Sequence, residues 1–409
     1  MKVLRFGYVT GPLIGALWTL VMAIVVCVIL SFATGQALAP VAVSALAVGA
    51  WLGFALLPEG GRDRSRRILV TAGLVVVPLM AFVLVRPAIH GSAETGMGLL
   101  AIAWILLALS VVLPLRLMLR GLPYGPATRH ETEAALIHFL TGFGYIFFTA
   151  IVVIPFYVMV MTSLKNQQDL LLNPLDFTVD LSQGADLFRS YTELFAKFNF
   201  GSYLWTSFYV SVLTVLITLL FAVPGAYAVA RLRFRGRAAF SRSILLIYMV
   251  PMIVLALPIY IAFSMAGLRN SIFGIVMIYP VTTIPVALYM LQGYFRGLPS
   301  EVEEAGLMDG LSRLAVIWKI TLPLSLPALA SVSLYVFMIA WNEFLLAFML
   351  LDDPSKFTLT RGVAMLNSSE IPRQHLMAGS VVATVPIMLL FLGLERFMTK
   401  GLTAGSVKG

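Results

Sequence analysis

The chain has 409 residues and a formal net charge of +9; 60% of its residues are hydrophobic and only 11% are charged, giving a mean hydropathy of +0.95. Soluble domains carry about 25% charged residues, so the composition excludes an ordinary soluble protein and points to an integral membrane protein. The single cysteine, Cys27, excludes an intrachain disulfide and a cysteine-rich metal site, and the basic residues punctuate apolar runs rather than forming a surface for nucleic acid.

A membrane span needs about 20 predominantly apolar residues. Ten such segments can be placed, at 11–34, 40–57, 68–85, 98–115, 139–162, 203–230, 243–265, 271–292, 324–351 and 377–398. Backbone polar groups in lipid must be satisfied within the segment, so these runs are expected to be helices. The ten-residue alternation of a membrane β-barrel is absent. The expected fold class is therefore an all-α integral membrane protein with about ten transmembrane helices.

The first segment follows Lys2 and Arg5, as a signal peptide would, but its apolar run is too long for a cleaved one and reads as a retained span. Two tight basic clusters set the orientation. Arg62, Arg64, Arg66 and Arg67 form one; Arg231, Arg233, Arg235, Arg237 and Arg242 form the other. Placing both in the cytoplasm puts both termini there as well. The chain divides near Gly121–Glu131, where Gly121-Leu122-Pro123-Tyr124-Gly125-Pro126 breaks any helix. Four spans with few polar residues precede it, in residues 1–125; six follow, in 126–409, with proline at Pro155, Pro224, Pro251, Pro258, Pro280, Pro285, Pro327 and Pro386. Tyr203, Trp205, Tyr209, Tyr279, Tyr289 and Trp341 suit an interfacial belt or a stacking platform. His90, His130, His138 and His375 are scattered, without metal-ligand spacing, so no metal site is expected.

The polar loop 293–323 is the most informative stretch. Pro299 sets an extended turn, and Ser300 with Glu303 fits a capping box. Glu301, Glu303 and Glu304 in the first turn suit the helix dipole. Val302, Ala305 and Met308 make a narrow apolar stripe, and Gly310 can take the left-handed conformation that ends a helix. A second helix, near Leu311–Ile320, leads through Leu322-Pro323 back to the membrane. The pattern fits either a capped surface helix or a helix that docks in a groove of another protein, small residues allowing close approach. Further on, Glu343 beside Asn342 is an acid well inside a span. A charge at that depth costs about 2.5–3.5 kcal/mol on insertion scales. It is expected either to bond a neighbouring helix near the outer surface or to line a water-filled path with Asn342.

The polar loop resembles the E-A-A, three residues, G, nine residues, I-x-L-P loop of permease subunits of binding-protein-dependent ABC importers. Glu304, Ala305, Gly310, Ile320, Leu322 and Pro323 match it; Gly306 stands where the family has alanine. The resemblance covers roughly residues 146–409 and is closest to the carbohydrate branch, of MalG type. It is supported by Thr162-Ser163-Leu164-Lys165, Pro224–Arg231, Met249-Val250-Pro251, Trp341-Asn342-Glu343-Phe344 and the tail Lys400–Gly409. It implies a six-helix permease core preceded by four extra N-terminal helices, in a bacterial inner membrane. It also implies four partners besides membrane lipid: a second, MalF-type permease, two ATP-binding subunits and an extracytoplasmic sugar-binding protein. Glu303, Glu304, Ala305, Gly306, Met308, Asp309, Gly310, Ile320, Leu322 and Pro323 would then couple to an ATPase subunit, the tail would reach those subunits, and Asn342 and Glu343 would lie on a sugar's path. The chain has no G-x-x-x-x-G-K-[ST] loop, so no cofactor of its own is expected and ATP would be bound by the partners. It would transport rather than catalyse. A glycerol-phosphate substrate, and an ion-coupled secondary transporter, are the alternatives.

Overall fold

Long apolar runs in lipid become helices because no water is there to satisfy an open backbone. The computed structural model describes residues 6–57, 87–91, 95–172, 178–179 and 181–403, and these are mostly helical. Lys2, Arg5, the arginine cluster at 62–67, the expected span 68–85 and the tail from 404 lie outside the described residues. Six described helices are long and apolar enough to cross a membrane, or seven if one bent pair counts as a span. Two shorter apolar helices, Ala42–Ala55 and Met252–Met265, also coincide with expected spans. The chain packs as two units, Met1–Thr162 with Gln168–Ser182, and Ser163–Gln167 with Gln183–Gly409.

The first unit contains α1 (Gly7–Thr34), α2 (Ala42–Ala55), α3 (Met97–Leu119) and all but the last residue of α4 (Arg129–Ser163). Its tightest packing is between α1 and α2, where Gly11 and Gly15 meet Gly49 and Gly53. A Cβ on Gly15 would fall inside the contact shell of the Gly49 carbonyl oxygen, and one on Gly53 inside that of Gly11. Two G-x-x-x-G faces thus let the backbones touch, the usual device where lipid supplies no hydrophobic drive between helices. Trp18 Nε1 donates to the Ser110 carbonyl at 3.2 Å, and the Trp18 ring meets Phe139 edge-on at 6.3 Å. Tyr157 donates to the Phe32 carbonyl at 2.9 Å with the two rings stacked, which ties α4 to α1. The Gly121–Pro126 segment links α3 to α4. Its Tyr124 and Gly125 carbonyls accept from the free N–H groups of Tyr8 and Gly7 at the start of α1. A two-stranded antiparallel pair, Leu38–Pro40 with Ile89–Gly91, closes the opposite end of α1.

After the short α5 (Gln167–Leu172), the chain forms α6 (Arg189–Lys197), α7 (Phe200–Arg231), α8 (Arg237–Tyr248), α9 (Met252–Met265) and α10 (Ile272–Gly297). The core of the second unit centres on α7 packed against α10, where Thr218 and Thr283 share a buried hydrogen bond of 2.6 Å. Two expected spans are interrupted. The segment 243–265 breaks at Met249–Pro251: Pro251 is extended and lacks an N–H, so the helix restarts beyond it. The segment 324–351 is divided between α13 (Leu326–Asn342) and α14 (Leu345–Leu350), with Glu343 extended between them. The second unit also contains α11 (Ser300–Met308), α12 (Arg313–Leu324), α15 (Leu359–Met365) and α16 (Arg373–Thr403). Three of the expected belt aromatics, Tyr203, Tyr279 and Trp341, are core residues instead; Trp341 Nε1 donates to the Ala383 carbonyl at 3.1 Å. Trp205 and Tyr289 are exposed.

Candidate functional site

The polar loop becomes a helix, a turn and a second helix. Leu298 and Pro299 are extended, and α11 starts at Ser300. No side chain caps it, so the expected capping box does not form. Glu303 turns inward instead. Its carboxylate accepts from Thr321 Oγ1 at 3.0 Å and from the Tyr227 hydroxyl at 3.2 Å, with Arg231 Nε 3.5 Å away. The Arg231 guanidinium also donates to the Leu298 carbonyl at 2.6 Å. Glu301 and Glu304 stay exposed near the positive end of the helix dipole. Arg237 closes the same end of α7 by donating to the Val229 and Ala230 carbonyls at 2.6 and 3.0 Å.

Gly310 takes φ +84°, as its place in the sequence predicts. Its N–H reaches the Leu307 carbonyl and the Leu311 N–H reaches that of Gly306, each at 3.1 Å. These are the paired bonds of a Schellman ending, with Asp309 as the C-cap. Gly306 faces the chain's own α12: a Cβ on it would stand 2.5 Å from Ile320 Cδ1 and 3.4 Å from Val316 Cγ2. Its small size permits this internal crossing. Val302, Ala305 and Met308 point outward, with Met308 88% exposed. Leu314 and Trp318 on α12 are exposed too, Trp318 by 70%.

In α12 the Ser312 hydroxyl caps the first turn by accepting from the Ala315 N–H at 3.3 Å. The helix widens to a π turn over Ile317–Thr321, just before Pro323, which has no N–H to continue a regular ladder. It then bends by 76° into α13. Thr321 holds that corner. Its carbonyl accepts from the Ser325 N–H at 3.0 Å and from the Ser325 hydroxyl at 2.6 Å, while its own hydroxyl reaches Glu303. Leu322 is half-buried and Pro323 exposed. Three groups that hold this site, Tyr227, Arg231 and Thr321, are not identified by local sequence reasoning. Arg231 signals itself only as one member of a basic cluster.

Asn342 and Glu343 are adjacent but differently placed. Asn342 is exposed, and its amide donates to the Met338 carbonyl at 2.9 Å. Glu343 is half-buried, and its carboxylate accepts from the Leu346 and Ala347 N–H groups at 2.8 and 3.1 Å. It caps the first turn of α14, so its charge meets backbone dipoles. Its own carbonyl accepts from Thr360 at 2.6 Å. At the other end of α7, His375 is buried and bonds Glu193 at 2.8 Å. That bond, aided by Lys197 and Arg189, holds the Glu193 carboxyl down to about 2. Among the described residues no group of three His, Cys, Asp or Glu gathers as a metal site.

A family model described as binding-protein-dependent transport system inner membrane component matches residues 217–403, which include α11 and α12. The chain is 36% identical over 272 residues to the inner membrane ABC transporter permease protein YcjP of Escherichia coli (strain K12), spanning 65% of this chain and 95% of that one. It is 32% identical over 280 residues to the trehalose/maltose transport system permease protein MalG of Thermococcus litoralis, spanning 68% and 99%. Among solved structures, a bacterial ABC transporter involved in the import of the acidic polysaccharide alginate shares the fold. Its TM-score is 0.55 at 22% identity, over 66% of this chain and 98% of that one.

Proposed function

Since the chain belongs to the family of binding-protein-dependent transport system inner membrane components, a class of multi-pass inner-membrane ABC permeases, we propose that it is the permease of an ATP-driven sugar importer. The trehalose/maltose transport named for one relative supports the sugar, and neither the glycerol-phosphate nor the ion-coupled alternative is favoured. The complex would contain a second permease, two ATP-binding subunits that supply the nucleotide site, and an extracytoplasmic sugar-binding protein. Both termini would lie in the cytoplasm with the basic clusters. Residues 126–409 would form the transport core, and residues 1–125 a four-helix N-terminal transmembrane extension that brings the spans to ten.

The observation that carries this reading is the outward face of the hairpin. Val302, Ala305 and Met308 on α11, with Leu314 and Trp318 on α12, present apolar side chains at a polar turn between membrane helices. Covering a large apolar side chain is worth about 1.5–3 kcal/mol, so the patch suits a groove on a soluble partner. Glu304 and Asp309 rim it with charge. Nucleotide shifts a two-state equilibrium only through different interactions with each state. Closure of the ATPase pair would therefore move α11 between two surroundings and switch the opening of the core. Ile320, Leu322 and Pro323 would guide the return of the chain to the membrane. Asn342 would face the sugar's path, and Glu343 would hold the break that presents it.

The test is capture of the partner. Met308→Cys in a Cys27→Ala background is crosslinked in native membranes, and the captured protein is assayed for ATP hydrolysis. Capture of an ATP-hydrolysing subunit is expected. If neither Met308→Cys nor Ala305→Cys ever captures one, the importer reading fails.

A further inference from the structure

Glu303 is held apart from the outward face of α11. It is buried between α7 and α12, and each of its bonds goes to another segment of the chain: Tyr227 and Arg231 on the last turns of α7, and Thr321 at the π turn of α12. Arg231 in turn holds the Leu298 carbonyl in the strand-like entry to α11. The bond from Tyr227 spans 76 residues and the bond from Thr321 spans 18. Besides them, α11 meets the rest of its unit through its two chain ends, Leu298-Pro299 and the Asp309–Ser312 turn, and through the apolar packing of Gly306 on Ile320 and Val316.

We infer that Glu303 is a positioning residue, a latch that makes α11, the π turn of α12 and the cytoplasmic end of α7 move as one body. This inference rests on the importer reading but assigns Glu303 away from the ATPase surface: it carries displacement inward and does not contact the partner. The geometry gives a reason for a charged group at a buried place. Removing one member of such a cluster leaves the others desolvated and unpaired, so the joint holds as a unit or fails as a unit. Neutral packing at the same place would let α11 slide on Ile320 without disturbing α7.

The experiment uses the full complex purified through a tag on this chain and placed in lipid nanodiscs. Leu220, exposed on α7 about three turns before Arg231, is replaced by cysteine in a Cys27→Ala background and carries an environment-sensitive fluorophore. The signal is the emission shift produced by ATP with vanadate. In Glu303→Ala the ATPase subunit should remain bound as in the unaltered chain, while the shift at Leu220 falls roughly tenfold, within the span of ordinary coupling free energies. Glu303→Gln keeps an acceptor for Thr321 but loses the charge facing Arg231, so its shift should lie between the two. It also supplies the answer if the alanine variant does not assemble. An undiminished shift in Glu303→Ala overturns the latch. So does loss of the ATPase subunit from both variants, which would make Glu303 a docking contact, or the absence of any shift at Leu220 in the unaltered complex. Failure of an ATPase subunit to accompany the unaltered chain would instead refute the importer reading.

Discussion

Replacement of Gly310 isolates the backbone conformation of the hairpin from its contacts. The residue sits at φ +84°, and a Cβ there would meet nothing within 4 Å. A substitution is therefore opposed by the left-handed backbone alone. That conformation costs an L residue roughly 1–2 kcal/mol, least for asparagine and most for a β-branched side chain. A penalty of one or two kcal/mol lowers the population of the native turn by about 5–30-fold. With the turn lost, the N–H bonds of Gly310 and Leu311 to Leu307 and Gly306 are lost as well. The outward stripe of α11 then loses the turn that fixes its direction relative to α12. Membrane insertion depends on the apolar helices either side and should be unaffected. Reconstituted complexes carrying Gly310→Asn, Gly310→Ala and Gly310→Val should lose sugar imported per ATP hydrolysed in that order. Trehalose and maltose, the sugars named for one relative, are the substrates to try first. If valine behaves as asparagine does, the left-handed turn does not set the coupling.

The first unit should respond to side-chain volume where the hairpin responds to φ. Gly15→Val places its Cβ against a backbone oxygen that cannot give way, so the thermal midpoint in detergent should fall by the equivalent of about 1–3 kcal/mol; Gly144→Ala, inside α4 with open space around it, is the control and should leave the midpoint unchanged or raise it, since alanine favours a helix over glycine. Glu193 is depressed to about 2 from 4.5 by its bond to His375, so its contribution is complete above pH 4.5 and is lost as the pH falls toward 2. His375→Ala should lower stability at neutral pH and flatten the stability profile across that window; an unchanged slope in acid-unfolding curves would separate Glu193 from the effect.

Helices and the shape of the hairpin are legible because their signals are local. Apolar run length predicts α1, α7, α10 and α16; Gly310 at the end of a polar helix predicts the left-handed turn; and the three-residue spacing of Val302, Ala305 and Met308 predicts the outward stripe. The partners of Glu303 are not local. Ser300 and Glu303 have capping-box spacing, and nothing near them in sequence reveals Tyr227 or Arg231 waiting at the end of α7. The break at Glu343 carries no proline or glycine; its one signal is the polar pair Asn342-Glu343 inside an apolar run. Other features are plain in the sequence itself. Gly11, Gly15, Gly49 and Gly53 spell two G-x-x-x-G faces, and Pro251 marks the end of α8 by the same rule that ends any helix before proline. Gly306 is the subtler case, since nothing near it in sequence reveals that Ile320 packs against it.

Two acids of the second unit, Glu303 and Glu343, bear on how transport is driven. A carrier that relays protons through its acids needs a carboxylate free to exchange its proton as the path opens and closes. Glu303 gives its oxygens to Thr321, Tyr227 and Arg231, and Glu343 gives both of its oxygens to the amides of α14. Each acid is engaged in holding a corner of the chain. The consequence is a difference between two substitutions at Glu343. Glu343→Gln keeps one carbonyl oxygen for the Leu346 or Ala347 amide, so it should retain most of the fold's stability and its import. Glu343→Ala removes the cap and should cost about 0.5–2 kcal/mol, as the loss of a helix cap does. Thermal midpoints and uptake measured on both variants decide the matter. Import abolished by glutamine at unchanged stability would mean that the charge itself takes part in transport, and the assignment of Glu343 as a structural cap would be wrong.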